Sequence, residues 1–219
     1  FRYLPAAGLD AARVGGRGAT PGRCVAWSGS MTFTKRCFDL LLALAALSLL
    51  ALPLLLIALW VRGTSPGPAL YWSQRVGRNN RLFAMPKFRS MRIDTPELAT
   101  HLLDNPQQWL TPIGSFLRRS SLDELPQLWN ILTGDMSFVG PRPALFNQTD
   151  LVALRTDAGV HALVPGLTGW AQINGRDELP IAQKVALDSW YRLHQSFWLD
   201  VRIIFLTALK VLRKDDVAH

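Results

Sequence analysis

Residues 40–61, LLLALAALSLLALPLLLIALWV, run for 22 positions without a charge. At about 1.5 Å per residue, a helix over them is roughly 33 Å long, enough to cross the hydrocarbon of a bilayer. Pro53 lies inside the run, and both flanks are basic: Lys35-Arg36 before it, and Arg62, Arg75, Arg78, Arg81, Lys87, Arg89 and Arg92 after it, with no acid between Asp39 and Asp94. Positive charge marks the cytoplasmic side of a membrane segment. A straight crossing sends one basic flank outward, whereas a helix that enters, breaks near Pro53 and returns keeps both on one face. Proline in a helix interior costs about 3 kcal/mol, so a bend is expected there. A re-entrant helix over 31–62 is therefore the expectation, with a kinked span as the alternative.

The rest of the chain is sized for one domain over 63–214. Its balance of 24 basic to 16 acidic residues, net +8, suits an anionic partner. Two cysteines, Cys24 and Cys37, and four scattered histidines give neither a disulfide framework nor zinc spacing. Residues 1–30 carry no signal-peptide core, and Met31 reads as a natural start, so they are taken as a scar or upstream extension outside the fold. Residues 215–219 are a tail.

The pattern after the apolar run predicts a mainly α fold with a small β-hairpin (α+β). ALYWSQRVGRNNRLFAMPKFRSM reads as two strands around a Gly-Arg-Asn-Asn turn. Over 121–133, helical spacing puts Leu122, Leu125, Trp129 and Leu132 on one apolar side and leaves Asp123 and Glu124 off it. Ser121 to Glu124 also fits a capping box, although Pro126 argues against that register. Residues 196–214 place Asp200, Thr207, Lys210 and Lys214 on a narrow stripe among aromatic and aliphatic residues; an interfacial amphipathic helix and an ordinary core helix both fit.

The adjacent carboxylates of SSLDELPQLWN stand just after Arg118-Arg119, at a helix start whose free N–H groups favour anions. Arg142 is held between Pro141 and Pro143, which restrict its backbone and suit bidentate grip on phosphate oxygens. VPGLTGWAQINGRDELP, with Gln172, Asn174 and Arg176, reads as a binding loop too polar and turn-rich for a core.

Taken in order, KFRSM (87–91), Arg118 with SLDELPQ (121–127), GDMSFVGPRP (134–143), PGLTGWAQINGR (165–176) and the 199–214 tail resemble the bacterial sugar transferases, the monotopic phosphoglycosyl transferases. The chain departs from that family's frequent Ser-Pro break, having Leu52-Pro53. The resemblance implies transfer of a phospho-sugar from a UDP-sugar to polyprenyl (undecaprenyl) phosphate with release of UMP, an early membrane step in bacterial glycan assembly. It implies Asp123 as nucleophile, a phospho-sugar-aspartyl intermediate, and Mg²⁺ held by Glu124 with Asp123. Lys87, Arg89, Arg118, Arg142, Gln172, Asn174 and Arg176 become substrate contacts. The expected setting is the cytoplasmic face of the inner membrane, among anionic lipids and without nucleic acid; a homodimer is left open. The competing reading is a membrane-tethered basic binding module without catalysis.

Overall fold

The computed structural model describes residues 32–96, 105–175 and 179–213. Residues 1–30, expected as an extension, and 215–219, expected as a tail, therefore lie outside the described residues. Helix α1 (Phe33–Thr64) starts at Thr32, whose hydroxyl accepts from the Lys35 amide at 3.3 Å, and gives way to the Pro-Gly-Pro turn at 66–68. It is long and apolar enough to cross a membrane. The expected break needs correcting: Pro53 sits inside α1 with helix on both sides. A single proline deletes one N–H and frees a carbonyl in the preceding turn, and the helix resumes beyond it.

Strands β1 (Leu70–Val76) and β2 (Leu82–Phe88) form the predicted hairpin, and β4 (Ala144–Leu145) extends it on the other side of β1. Pro86 is tolerated because β2 is an edge strand. Helix α2 (Gly114–Arg119) leads into a 3-10 segment (Leu122–Gln127) that continues as α3 (Leu128–Thr133) and stops at Gly134, φ 96°. Strand β3 (Ser137–Val139) pairs in parallel with β5 (Gly166–Thr168). Helices α4 (Thr149–Asp157), α5 (Trp170–Ile173), α6 (Ile181–His194) and α7 (Phe197–Arg213) complete the body.

Both ends of α1 pack on this body. Near the start, Ala43 joins a core with Leu128, Ile131, Met136, Tyr191 and Ile203. Near the end, Ile57 and Val61 pack with Phe88, Ile113 and Leu117, and Leu122 borders that cluster. Polar ties fix the first end. Lys35 Nζ bridges Asp200 Oδ2 at 2.5 Å and donates to the Val139 carbonyl at 3.0 Å; the Tyr191 hydroxyl donates to Asp200 Oδ1 at 2.6 Å; Asp39 Oδ1 accepts from the Phe138 amide at 3.2 Å. Arg36 donates to the carbonyls of Ile131 and Leu132, which end α3 without helical partners.

Three sequence expectations change. Trp129 is 56 % exposed, and the buried side of 121–133 carries Asp123, Gln127, Leu128, Asn130 and Ile131. The segment begins with three residues per turn and only then becomes α-helical, so a constant 3.6 period puts the faces out of phase. PGLTGWAQ, expected to be too polar and turn-rich for a core, supplies β5 and α5, with Gly166, Thr168, Ala171 and Gln172 buried. Its glycines permit this, since a Cβ on Gly166 would lie 2.1 Å from the Gly140 amide nitrogen and one on Gly169 2.1 Å from the Gly140 oxygen. In α7, Asp200 and Ile203 are buried and Thr207 bonds Thr168 at 2.7 Å, while Trp198 (78 %) and Phe205 (62 %) are exposed; Lys214 lies outside the described residues. The helix therefore packs Leu199, Ile203 and Ile204 on the core and leaves other large apolar side chains outward.

Candidate active site

Chain entry into the 3-10 segment turns through Ser121, at φ 55°. Ser121 makes no side-chain cap, so the capping box is not formed. The turn brings Asp123, 8 % exposed, and Glu124 beneath β2 and the Pro141–Pro143 loop. Glu124 Oε1 receives Lys87 Nζ at 2.7 Å and Arg142 Nη2 at 3.0 Å. Burial alone would push the Glu124 carboxyl up; Arg142 and Lys87 outweigh it and hold it well below the usual carboxylate range. Arg118 joins from α2, where its Nε donates to Ser90 Oγ at 3.1 Å. Burial pulls Arg118 down from its usual value, and the charge of Asp123 opposes that.

Five predicted residues thus meet: Lys87, Arg118, Asp123, Glu124 and Arg142. Others lie apart from that cluster in their contacts. Arg89 is 5 % exposed and donates to the Ser65 carbonyl at 2.9 Å and to Ser65 Oγ at 2.7 Å, under the turn that follows α1. Gln172 is buried in α5, where a Cβ on Gly169 would lie 2.7 Å from its Oε1. Asn174 is exposed and donates to the Trp170 carbonyl at 2.7 Å. Arg176 lies outside the described residues.

Sequence reasoning missed Arg155. From the last turn of α4 it donates to the Arg142 carbonyl at 2.7 Å and pairs with Asp188 of α6, also at 2.7 Å, so it fixes the loop that carries Arg142. An Arg in a helix's last turn reads as ordinary complement to the dipole, and its partner is 33 residues away in the chain.

Among the described residues no cluster of three or more His, Cys, Asp or Glu is arranged for a metal. The adjacent Asp123 and Glu124 do fit Mg²⁺, which commonly takes only one or two carboxylates and completes its shell with water and substrate phosphate.

The depressed Glu124 value carries a pH signature. Its ion pairs stabilise the fold fully above the unfolded pKa of about 4.3, and that contribution is lost as pH falls through the lower folded value. The gap in melting midpoint between wild type and Glu124→Gln is expected to be widest near neutrality and to narrow below about pH 4.3. A gap that widens on acidification would contradict the assignment.

Carboxylates held among ammonium and guanidinium groups, one residue from a leucine that packs on an apolar helix, suit phosphate chemistry at a membrane. The chain belongs to the bacterial sugar transferase family, whose model matches residues 30–214. It is 41 % identical over 202 residues to the undecaprenyl-phosphate galactose phosphotransferase of Salmonella typhimurium, covering 85 % of this chain and 42 % of that protein. It is 40 % identical over 191 residues to the UDP-glucose:undecaprenyl-phosphate glucose-1-phosphate transferase of Escherichia coli, covering 84 % and 41 %. With the uncharacterized sugar transferase EpsL of Bacillus subtilis the identity is 39 % over 183 residues, covering 84 % and 89 %. The chain thus spans about two fifths of the length of the first two and most of the third.

Proposed function

We propose that this chain transfers a sugar 1-phosphate from a UDP-sugar to polyprenyl phosphate. The observation that carries the reading is the buried Asp123 and half-buried Glu124 ringed by Lys87, Arg118 and Arg142. A carboxylate with a reference pKa of about 3.9 is ionised at neutral pH and needs no base to act as nucleophile. What it needs is relief from repulsion by the diphosphate.

In the first step an Asp123 oxygen attacks the phosphorus that bears the sugar, and the bond from that phosphorus to the bridging oxygen breaks. UMP leaves with the bonding pair. In the second step an oxygen of the lipid phosphate attacks the same phosphorus, Asp123 departs as carboxylate, and polyprenyl-diphospho-sugar results. Lys87, Arg118 and Arg142 lower the charge of the diphosphate oxygens and of departing UMP. Mg²⁺, held by Glu124 with Asp123, would add to that neutralisation. Arg155 keeps the Arg142 loop in place. Arg89, Gln172, Asn174 and Arg176 remain proposed substrate contacts by their place in the motifs. A UMP-release assay with undecaprenyl phosphate, Mg²⁺ and a panel of UDP-sugars tests this; no release with any of them would overturn it.

The same reading divides the chain into a membrane segment over 31–62 and a catalytic body over 63–214. It makes α1 re-entrant through a bend at Pro53 that leaves the helix continuous, on the cytoplasmic face of the inner membrane, with anionic lipid as neighbour. Its support is that Ala43 and Val61, near opposite ends of α1, both pack on one body, and that both flanks are basic. The outward Trp198 and Phe205 support α7 as an interfacial helix. In a cysteine-free background, Phe33→Cys and Thr64→Cys are expected to react with an impermeant thiol reagent from the cytoplasmic side only. Labelling of the two from opposite sides would mean a crossing helix.

A further inference from the structure

The guanidinium that meets Glu124 stands at the end of five consecutive residues, each tied to a different group. The Phe138 amide donates to Asp39 Oδ1 at 3.2 Å, and the Val139 carbonyl accepts from Lys35 Nζ at 3.0 Å. The Gly140 amide donates to the Thr168 carbonyl and the Pro141 carbonyl accepts from the Gly166 amide, both at 2.9 Å. Arg155 holds the carbonyl of Arg142 itself. The first two ties come from α1, the helix read as the membrane segment. We infer that Asp39 and Lys35 are positioning residues for the proposed transfer: through β3, the first two turns of α1 set where Arg142 meets Glu124.

Three features carry this. Asp39 and Lys35 are both buried, so their bonds to β3 are made away from water, where a backbone group that loses its partner finds no substitute. Phe138 falls between Ser137 and Val139, the two residues that pair with β5, and its amide has Asp39 in place of a neighbouring strand. There is also little slack between these ties and Arg142. Gly140 is the obvious joint, yet a Cβ there would lie 2.3 Å from the Val164 carbonyl oxygen and 2.9 Å from the Gly166 amide nitrogen, so its backbone is wedged against the chain beside it. Pro141 and Pro143 fix their own φ on both sides of Arg142. A shift of β3 is therefore passed on to Arg142 and not absorbed on the way.

The proposed reaction gives this geometry a use. Arg142 acts by lowering the charge of the diphosphate and of departing UMP, and a misplacement of about 1 Å in such a group can slow a reaction by about 10²-fold. The loss of Asp39 as an acceptor is thus read in the turnover of folded protein as well as in its stability. Lys35 is the poorer handle, because it also pairs with Asp200, and because the Tyr191 hydroxyl reaches the same Val139 carbonyl at 3.4 Å. The bond from the Phe138 amide to Asp39 carries the test.

This inference rests on the proposed transfer, and its test separates the two. UMP release by the whole chain in detergent, per folded protein, compares wild type with Asp39→Ala, Asp39→Leu and Asp39→Asn, each also combined with Arg142→Lys. Alanine and leucine offer the Phe138 amide no acceptor, whereas asparagine keeps one. Asp39→Ala and Asp39→Leu are expected to lower kcat by at least about tenfold, and Asp39→Asn to recover most of that. In the Arg142→Lys background the first two are expected to lower it by less than about twofold, since the group they misplace is already gone. Equal losses in both backgrounds, an unchanged kcat, or no recovery with Asp39→Asn would overturn the positioning role while wild-type turnover upheld the function. Melting midpoints of the same variants give a second cycle that needs no turnover. Arg142→Lys is expected to lower the midpoint less in the Asp39→Ala background than alone, and strictly additive losses would overturn the inference. Wild type that releases no UMP from any UDP-sugar would overturn the transfer reading, and the midpoint cycle would then decide by itself whether Asp39 positions Arg142.

Discussion

Replacing Asp123 with Asn is expected to cut UMP release by at least about 10³-fold, in line with removal of an essential nucleophile. Asn is nearly isosteric, so the buried 3-10 segment has little reason to repack. Its amide oxygen, however, is neutral and a poor nucleophile toward phosphorus. Wild type incubated with labelled UDP-sugar and no lipid acceptor should retain phospho-sugar on the peptide that contains Asp123, and Asp123→Asn should retain none. Turnover by the Asn variant at near wild-type rate, or an unlabelled wild type that nonetheless turns over, would rule out the two-step route.

The second large effect concerns how α1 is bolted to the body. Lys35 and Asp200 are both buried, and Tyr191 supplies the second hydrogen bond to the carboxylate. Burial and the neighbouring Asp200 push the Tyr191 hydroxyl far above its ordinary range, so it stays a donor at every practical pH. Lys35→Met leaves Asp200 charged, buried and without its cation. Breaking such a pair costs about 3–5 kcal/mol, which for a chain of this size lowers the melting midpoint by roughly 6–20 °C. The double variant Lys35→Met, Asp200→Leu should recover most of that loss, because it removes the stranded charge as well. Equal midpoints for wild type and Lys35→Met would show that the pair contributes nothing to docking α1.

Much of the candidate site was legible because its residues cluster in short motifs. Asp123 and Glu124 are adjacent, Arg142 is marked by its two prolines, and Lys87 sits at the end of a strand that the Gly-Arg-Asn-Asn turn before it marks out. Arg155 and Asp188 were not legible, since a pair separated by 33 residues on two unremarkable helices leaves no local signal. The apolar face of 121–133 was misjudged for a related reason: a 3-10 entry changes the angular step per residue, and nothing in the composition announces it. The burial of PGLTGWAQ was hidden as well. Glycines and polar residues usually mark loops, yet here they allow the backbones of Gly140 and Gly166 to approach more closely than any side chain would permit.

By itself the sequence determined the apolar helix, the basic flanks, the hairpin and the types of group available for chemistry, because these follow from hydrophobic period, turn residues and charge. Tertiary structure decided which groups meet. Only packing sets Lys87 and Arg142 on one oxygen of Glu124, turns Asp200 and Thr207 of α7 inward, and ties the hairpin tip to Val160–Ala162. The physical reason is that such contacts join residues far apart in the chain, and they gain strength from burial that exists only once the body has assembled.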